Sequence, residues 1–109
     1  MSSRLVVRSA AETDIAGAAL WYEARARGRG ADFLRAVDVA LAEVERMPER
    51  FPIVHRDCRR ALRRRFPFAV YYVFASETIS VVACMHAHRD PQAWGRRVSD
   101  GAAAGLQGG

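Results

Sequence analysis

Two groups of residues in this chain have the types and spacing to do chemistry. Residues 58 to 68 read Cys-Arg-Arg-Ala-Leu-Arg-Arg-Arg-Phe-Pro-Phe, so five arginines fall within the seven positions Arg59 to Arg65. The guanidinium group is a permanently charged fork of N–H donors that meets phosphate or carboxylate oxygens two at a time. The second group is His86-Ala87-His88-Arg89. Histidine gains and loses its proton near neutral pH, so two of them beside an arginine can supply an acid, a base and a cation. Against this, His86 closes a strand-like run, where a histidine commonly does no more than hydrogen-bond the adjoining turn.

The charge distribution makes the first group stand out. The net charge is +5, and all of it lies in the second half. Residues 1–57 hold nine Arg against nine acids, whereas residues 58–109 hold eight Arg against Glu77, Asp90 and Asp100. A dense basic element of this kind points to an acidic or polyanionic partner. The chain has no Lys, and it is rich in Ala. Codon usage in a GC-rich genome accounts for that pairing, but not for the clustering at 59–65.

Other chemistries are thinly supported. Cys84, His86 and His88 alternate along one face, yet they lack a fourth ligand and the spacing of a zinc site, so no metal and no cofactor is expected. Cys58 and Cys84 make no disulfide framework and read as reduced packing thiols of a cytoplasmic protein. No run approaches the roughly 18 apolar residues that a membrane span requires.

The elements that must position these residues follow from periodicity. Leu5-Val6-Val7-Arg8 is a short strand. Ser9 with Glu12 three positions on has the form of a capping box, opening a helix from about Ala10 to Arg27. Ile15, Ala18, Ala19, Tyr22 and Ala26 share one of its faces. Gly28 and Gly30 mark a turn. A second helix runs from about Ala31 to Met47 on a stripe of Phe33, Val37, Leu41 and Val44, ended by Pro48. Two helices joined this way form an antiparallel hairpin. Glu49 to Asp57 reads as a loop.

Three strands follow, at about 59–64, 68–74 and 78–86, the last two joined at Ala75-Ser76-Glu77. In the last strand Ile79, Val81, Ala83 and Met85 share the face expected to meet the helices. Ser80, Val82, Cys84, His86 and His88 share the other. In the arginine strand, burial of Leu62 would put Arg60 and Arg64 at the rim of the helix layer. Arg59, Arg63 and Arg65 would then share the open face with His86. Trp21, Tyr22, Tyr71 and Tyr72 read as core aromatics. Trp94 and Arg97 follow in a turn after Asp90-Pro91, and residues 99–109 form a flexible Gly/Ala-rich tail to a domain of residues 1–98. The fold class is α+β, in the order β-α-α-β-β-β, with a helical hairpin on a small antiparallel sheet.

This order, and the residues within it, resemble the RelE/ParE superfamily of small bacterial toxins, and the ParE-type branch in particular. The likeness is carried by Ala11-Glu12-Thr13-Asp14-Ile15 with Trp21-Tyr22-Glu23, and by Phe33-Leu34 with Ala40-Leu41 and Met47-Pro48-Glu49-Arg50-Phe51-Pro52. It continues in Arg60 to Phe68 running into Val70-Tyr71-Tyr72-Val73, and in Ile79 to His86 with Arg89-Asp90-Pro91, Trp94 and Arg97. The resemblance implies a plasmid-stabilisation toxin neutralised by the C-terminal segment of a cognate antitoxin, with operator DNA met only through that antitoxin. ParE-type members poison DNA gyrase, which implies a non-enzymatic inhibitor. RelE-type members cleave mRNA in the ribosome, and an inactive, antitoxin-binding member is a third form. Cleavage through the 2′-hydroxyl needs a base, a cationic site for the phosphorane and an acid. Here Arg63, Arg65, His86, His88 and Arg89 would fill those roles. The binding surface for target or antitoxin would comprise Arg59, Arg63, Arg64, Arg65, His86, His88, Arg89, Trp94 and Arg97.

Overall fold

A computed structural model describes residues 3–86, with His86 described by its backbone. The elements are β1 (Arg4–Val7), α1 (Ser9–Arg25), α2 (Arg29–Arg46), β2 (Ile53–His55), β3 (Cys58–Leu62), β4 (Phe68–Ala75) and β5 (Thr78–His86). The expected domain end at 98 and the tail at 99–109 lie outside the described residues.

The strands form one sheet in the order β1-β5-β4-β3-β2. β1 runs parallel to β5, and the remaining neighbours are antiparallel. β2 was expected to be loop. Its three residues, after Pro52, are too few to display an alternation, and pairing of Ile53 with Arg59 across to β3 makes them a strand. β4 and β5 are joined by Ser76 and Glu77, both at positive φ (52° and 63°). That conformation matches the twist of the two strands, although neither residue is glycine.

The expected capping box does not form. Arg8 holds the N-cap position in an extended conformation, with no side-chain cap. The cause is the sheet: the Arg8 amide donates to Val81 O at 2.9 Å, and the Glu12 amide donates to Arg8 O. Arg8 is therefore the last extended residue, and Ser9 falls inside the first turn, where its hydroxyl cannot cap.

At the other end of the hairpin, a glycine turn is closed by a carboxylate. Glu23 accepts from the amides of Gly28 and Gly30, each at 3.0 Å, which satisfies otherwise orphaned groups at the start of α2. Gly28 sits at φ 88°, a left-handed conformation that favours glycine. A Cβ on Gly30 would stand 2.7 Å from Ala19 O, so the two helices meet backbone to backbone there.

One core lies between hairpin and sheet. Tyr22, Phe33, Val37 and Val44 from the helices meet Phe66, Phe68, Val70, Tyr72, Ile79 and Val81. The face division expected for β5 holds only for its first half. Tyr71 pairs with Ala83 while Tyr72 pairs with Val81, so Val82 is an extra residue that bulges the strand. Beyond it the alternation inverts. Cys84 joins the helix-side core, while Val82, Ala83 and Met85 join a second cluster with Cys58, Ala69 and Tyr71 on the opposite face. Among the described residues no helix is long and apolar enough to cross a membrane.

Candidate functional site

The arginine run is dealt to different places by the register of β3 on β4. Ala61 pairs with Val70 and is fully buried beneath the helices, whereas Leu62 is 58% exposed. This reverses the expected phase of the strand. Ala61 and Leu62 are adjacent, so alternation alone allows either to face the core. The tight space under the hairpin selects the smaller.

The consequences reach every arginine of the run. Arg59, expected on the open face, points to the helix side and serves the scaffold. Its guanidinium donates to Phe51 O at 2.7 Å and Glu49 O at 3.1 Å. With the Tyr72 hydroxyl donating to Pro48 O at 2.6 Å, it fastens the segment between α2 and β2. Arg63, also expected on the open face, pairs with Glu43 of α2 at 2.7 Å. The hydrogen bond from Arg63 holds the Glu43 carboxyl below its ordinary value. Arg64 and Arg65 are exposed in the β3–β4 loop, with the Arg65 guanidinium 5.6 Å from the centre of the Phe66 ring.

Arg60, expected at the helix rim, belongs to the face opposite the helices and is half-buried there. It pairs across strands with Tyr71, which also faces away from the helices. Burial pushes the Tyr71 phenol up, and a hydrogen bond from Arg60 partly offsets it. The phenol therefore stays a proton donor at neutral pH. The buried Nε of Arg60 has no partner among the described residues. His55 on β2 stands opposite Cys58, two residues along β3 from Arg60. An arginine and a protonated phenol can together hold an anionic oxygen and donate a proton to it. A histidine, His55, lies on the next strand.

Strand alternation in the sequence put neither Arg60 nor His55 on this face, whereas Tyr71, expected as a core aromatic, is buried at 5% exposure in the second cluster. The available signal was the alternation Ala69-Tyr71-Val73, which becomes usable once the phase of β3 is known. Of the other predicted site residues, His86 pairs by its backbone with Phe68. The side chain of His86, and all of His88, Arg89, Trp94 and Arg97, lie outside the described residues.

The cysteines are chemically quiet. Burial pushes the Cys58 thiol up to about 11 and the Cys84 thiol up to about 12, the latter helped by nearby Asp14. Both are free and buried. Among the described residues no cluster of three or more His, Cys, Asp or Glu could hold a metal ion.

A second surface lies on the hairpin. Val7, Ile15, Leu20, Leu34 and Leu41 line a trough of about 640 Å³ whose polar lining is Glu12, Glu23 and Asp38. Leu20 is 72% exposed and Leu34 41%.

No family model and no curated protein matches the chain. Among solved structures it is similar to one chain in the crystal structure of the toxin–antitoxin complex RelBE2 from Mycobacterium tuberculosis. The TM-score is 0.56 at 16% identity, covering 79% of this chain and 99% of that one. At that identity the likeness is one of fold. The fold is RelE/ParE-like. The hairpin covers one sheet face, and Arg60 and Tyr71 belong to the opposite face, where Tyr71 is itself buried at 5% exposure. In the β3–β4 loop, Arg65 lines a small hollow with Asp32, Arg35, Ala36 and Val39 of α2.

Proposed function

We propose that this chain is the toxin of a type II toxin–antitoxin module, and that it acts as a RelE-type, ribosome-dependent mRNA endonuclease. The observation that carries the reading is the fold match, which extends over nearly the whole of a chain from a RelBE complex. That neighbour favours the RelE-type activity over the gyrase poisoning that the ParE-like sequence features imply. The sheet face opposite the hairpin supports it chemically. Arg60 supplies the cation for a phosphorane, and the Tyr71 phenol supplies a proton donor. The apolar trough with its carboxylates suits the antitoxin, as an amphipathic segment carrying basic residues.

The test is controlled expression of the chain alone, followed by mapping of mRNA 5′ ends and of gyrase-linked DNA breaks. Codon-positioned mRNA cuts that disappear with Arg60→Ala and weaken with Tyr71→Phe are the expected result. Double-strand breaks with intact mRNA would instead establish the ParE-type inhibitor. Normal growth would leave an antitoxin-binding member without toxin activity.

A further inference from the structure

The fold separates Arg65 from the rest of its run and joins it to arginines of the helical turn. The Arg29 guanidinium lies 4.9 Å from the centre of the Phe66 ring, and that of Arg65 lies 5.6 Å from the same ring. Tyr22 meets Phe66 edge-on at 5.1 Å and Trp21 at 5.0 Å, and Arg25 stacks on Trp21 at 3.4 Å. One aromatic cluster thus carries three guanidinium groups on its rim, with Arg27 and Arg64 exposed next to them in the chain.

The carboxylates of this region are already engaged. Glu23 accepts from the turn amides, and Asp32 is paired with Arg35. No described ion pair involves Arg25, Arg29 or Arg65.

We infer that this end of the molecule, the α1–α2 turn with the β3–β4 loop, docks the phosphodiester backbone of single-stranded nucleic acid. Guanidinium groups held over fixed rings are ordered before the ligand arrives, so little side-chain entropy is lost on binding. Phe66 and Tyr22 are only 2% and 6% exposed, and the Arg25 guanidinium lies over the half-buried Trp21 ring, so the surface offers far more charge than apolar area. The core of a protein–protein interface is apolar and poor in charge, whereas backbone binding is almost wholly electrostatic. The surface therefore fits phosphates better than an acidic protein segment. The inference is independent of the toxin reading, because binding is measured on the isolated chain without antitoxin or ribosome.

The experiment is fluorescence anisotropy with labelled RNA and DNA single strands of one sequence, roughly twelve nucleotides long, between about 50 and 200 mM salt. Both strands are expected to bind, with RNA and DNA within about threefold of each other because charge is what is read. Arg29→Gln with Arg65→Gln should lower affinity at least about tenfold at the lowest salt and flatten the log–log salt slope by about 1.4, roughly 0.7 per lost phosphate contact. Arg4→Gln with Arg46→Gln, equal in net charge, should change affinity less than about threefold. Arg29→Lys with Arg65→Lys should keep the slope. Circular dichroism checks folding. If the stacked pair is needed for folding, Arg27→Gln with Arg64→Gln carries the same expectation. An unchanged slope in the turn-and-loop variants overturns the inference. So does equal loss in the control pair, absence of binding by the parent chain, or tighter binding of a labelled polyglutamate peptide than of either strand.

Discussion

Replacing Asp14 should cost this small domain a large part of its stability. Asp14 lies on the buried face of α1 and is only 9% exposed. Its carboxylate accepts from the Cys84 amide at 3.0 Å, across 70 residues of sequence. The need for that bond follows from strand lengths. β1 ends with Val7 opposite Val81, so past the bulge β5 continues with no neighbouring strand on that side among the described residues. An amide there is buried beneath α1 with no carbonyl to meet it, and Asp14 supplies the acceptor. Hydrogen bonds to charged groups contribute about 1.5–3 kcal/mol, and an orphaned buried amide costs about 1–3 kcal/mol. The two estimates describe overlapping losses, so Asp14→Ala should lose about 2–3 kcal/mol in urea denaturation with an unchanged slope. For a domain of this size that lowers the melting temperature by roughly 10–20 °C. Asp14→Asn keeps an acceptor oxygen and should lose about half as much. Native-state hydrogen exchange adds a local readout, in which the Cys84 amide loses protection ahead of its neighbours. An alanine variant within about 0.5 kcal/mol of the parent, or an unchanged Cys84 amide, would refute the reasoning.

Three further outcomes are expected. Gly30→Ala should destabilise by about 1–3 kcal/mol, because its new Cβ meets Ala19 O, while Gly17→Ala, with open space around it, should stabilise by about 0.5–1 kcal/mol; thermal melts compare the two. Arg63 lowers the folded-state value of the Glu43 carboxyl, so the pair adds stability above the unfolded carboxyl range, near pH 4.3, and loses it as pH falls through the lower folded value. The stability gap between the parent and Arg63→Ala should therefore be open at neutral pH and close in acid, as read by urea melts at both. Cys58 and Cys84, with thiols raised to about 11 and about 12, should resist iodoacetamide in the native protein at about pH 8 and both react in urea, as read by mass spectrometry.

The elements most legible in the sequence were those with long, one-sided periodicity. α2 appears where its Phe33-Val37-Val44 stripe implied, and β5 begins and ends as read. β2 was illegible because three residues cannot show a period. The faces of the arginine strand were not legible. Arg59 and Arg63, expected on the open face, hold loop and helix to the sheet. Arg60 and Tyr71 lie on the face opposite the helices instead. The error came from a single choice of phase at Ala61-Leu62, and a strand has period two, so one wrong step inverted every assignment along it.

What the sequence determined by itself is therefore composition and order: a helical hairpin before a run of strands, an arginine excess in the second half, and aromatics enough for one core. Those properties are local, because helix and strand periods are written within a few turns of chain. The tertiary structure alone decided which arginines are scaffold and which are surface, where β5 bulges, and that Asp14 answers Cys84. It also decided that Arg65 shares a ring with Arg29. Each of these depends on register and on space between layers, set by partners distant in sequence, which no local pattern records.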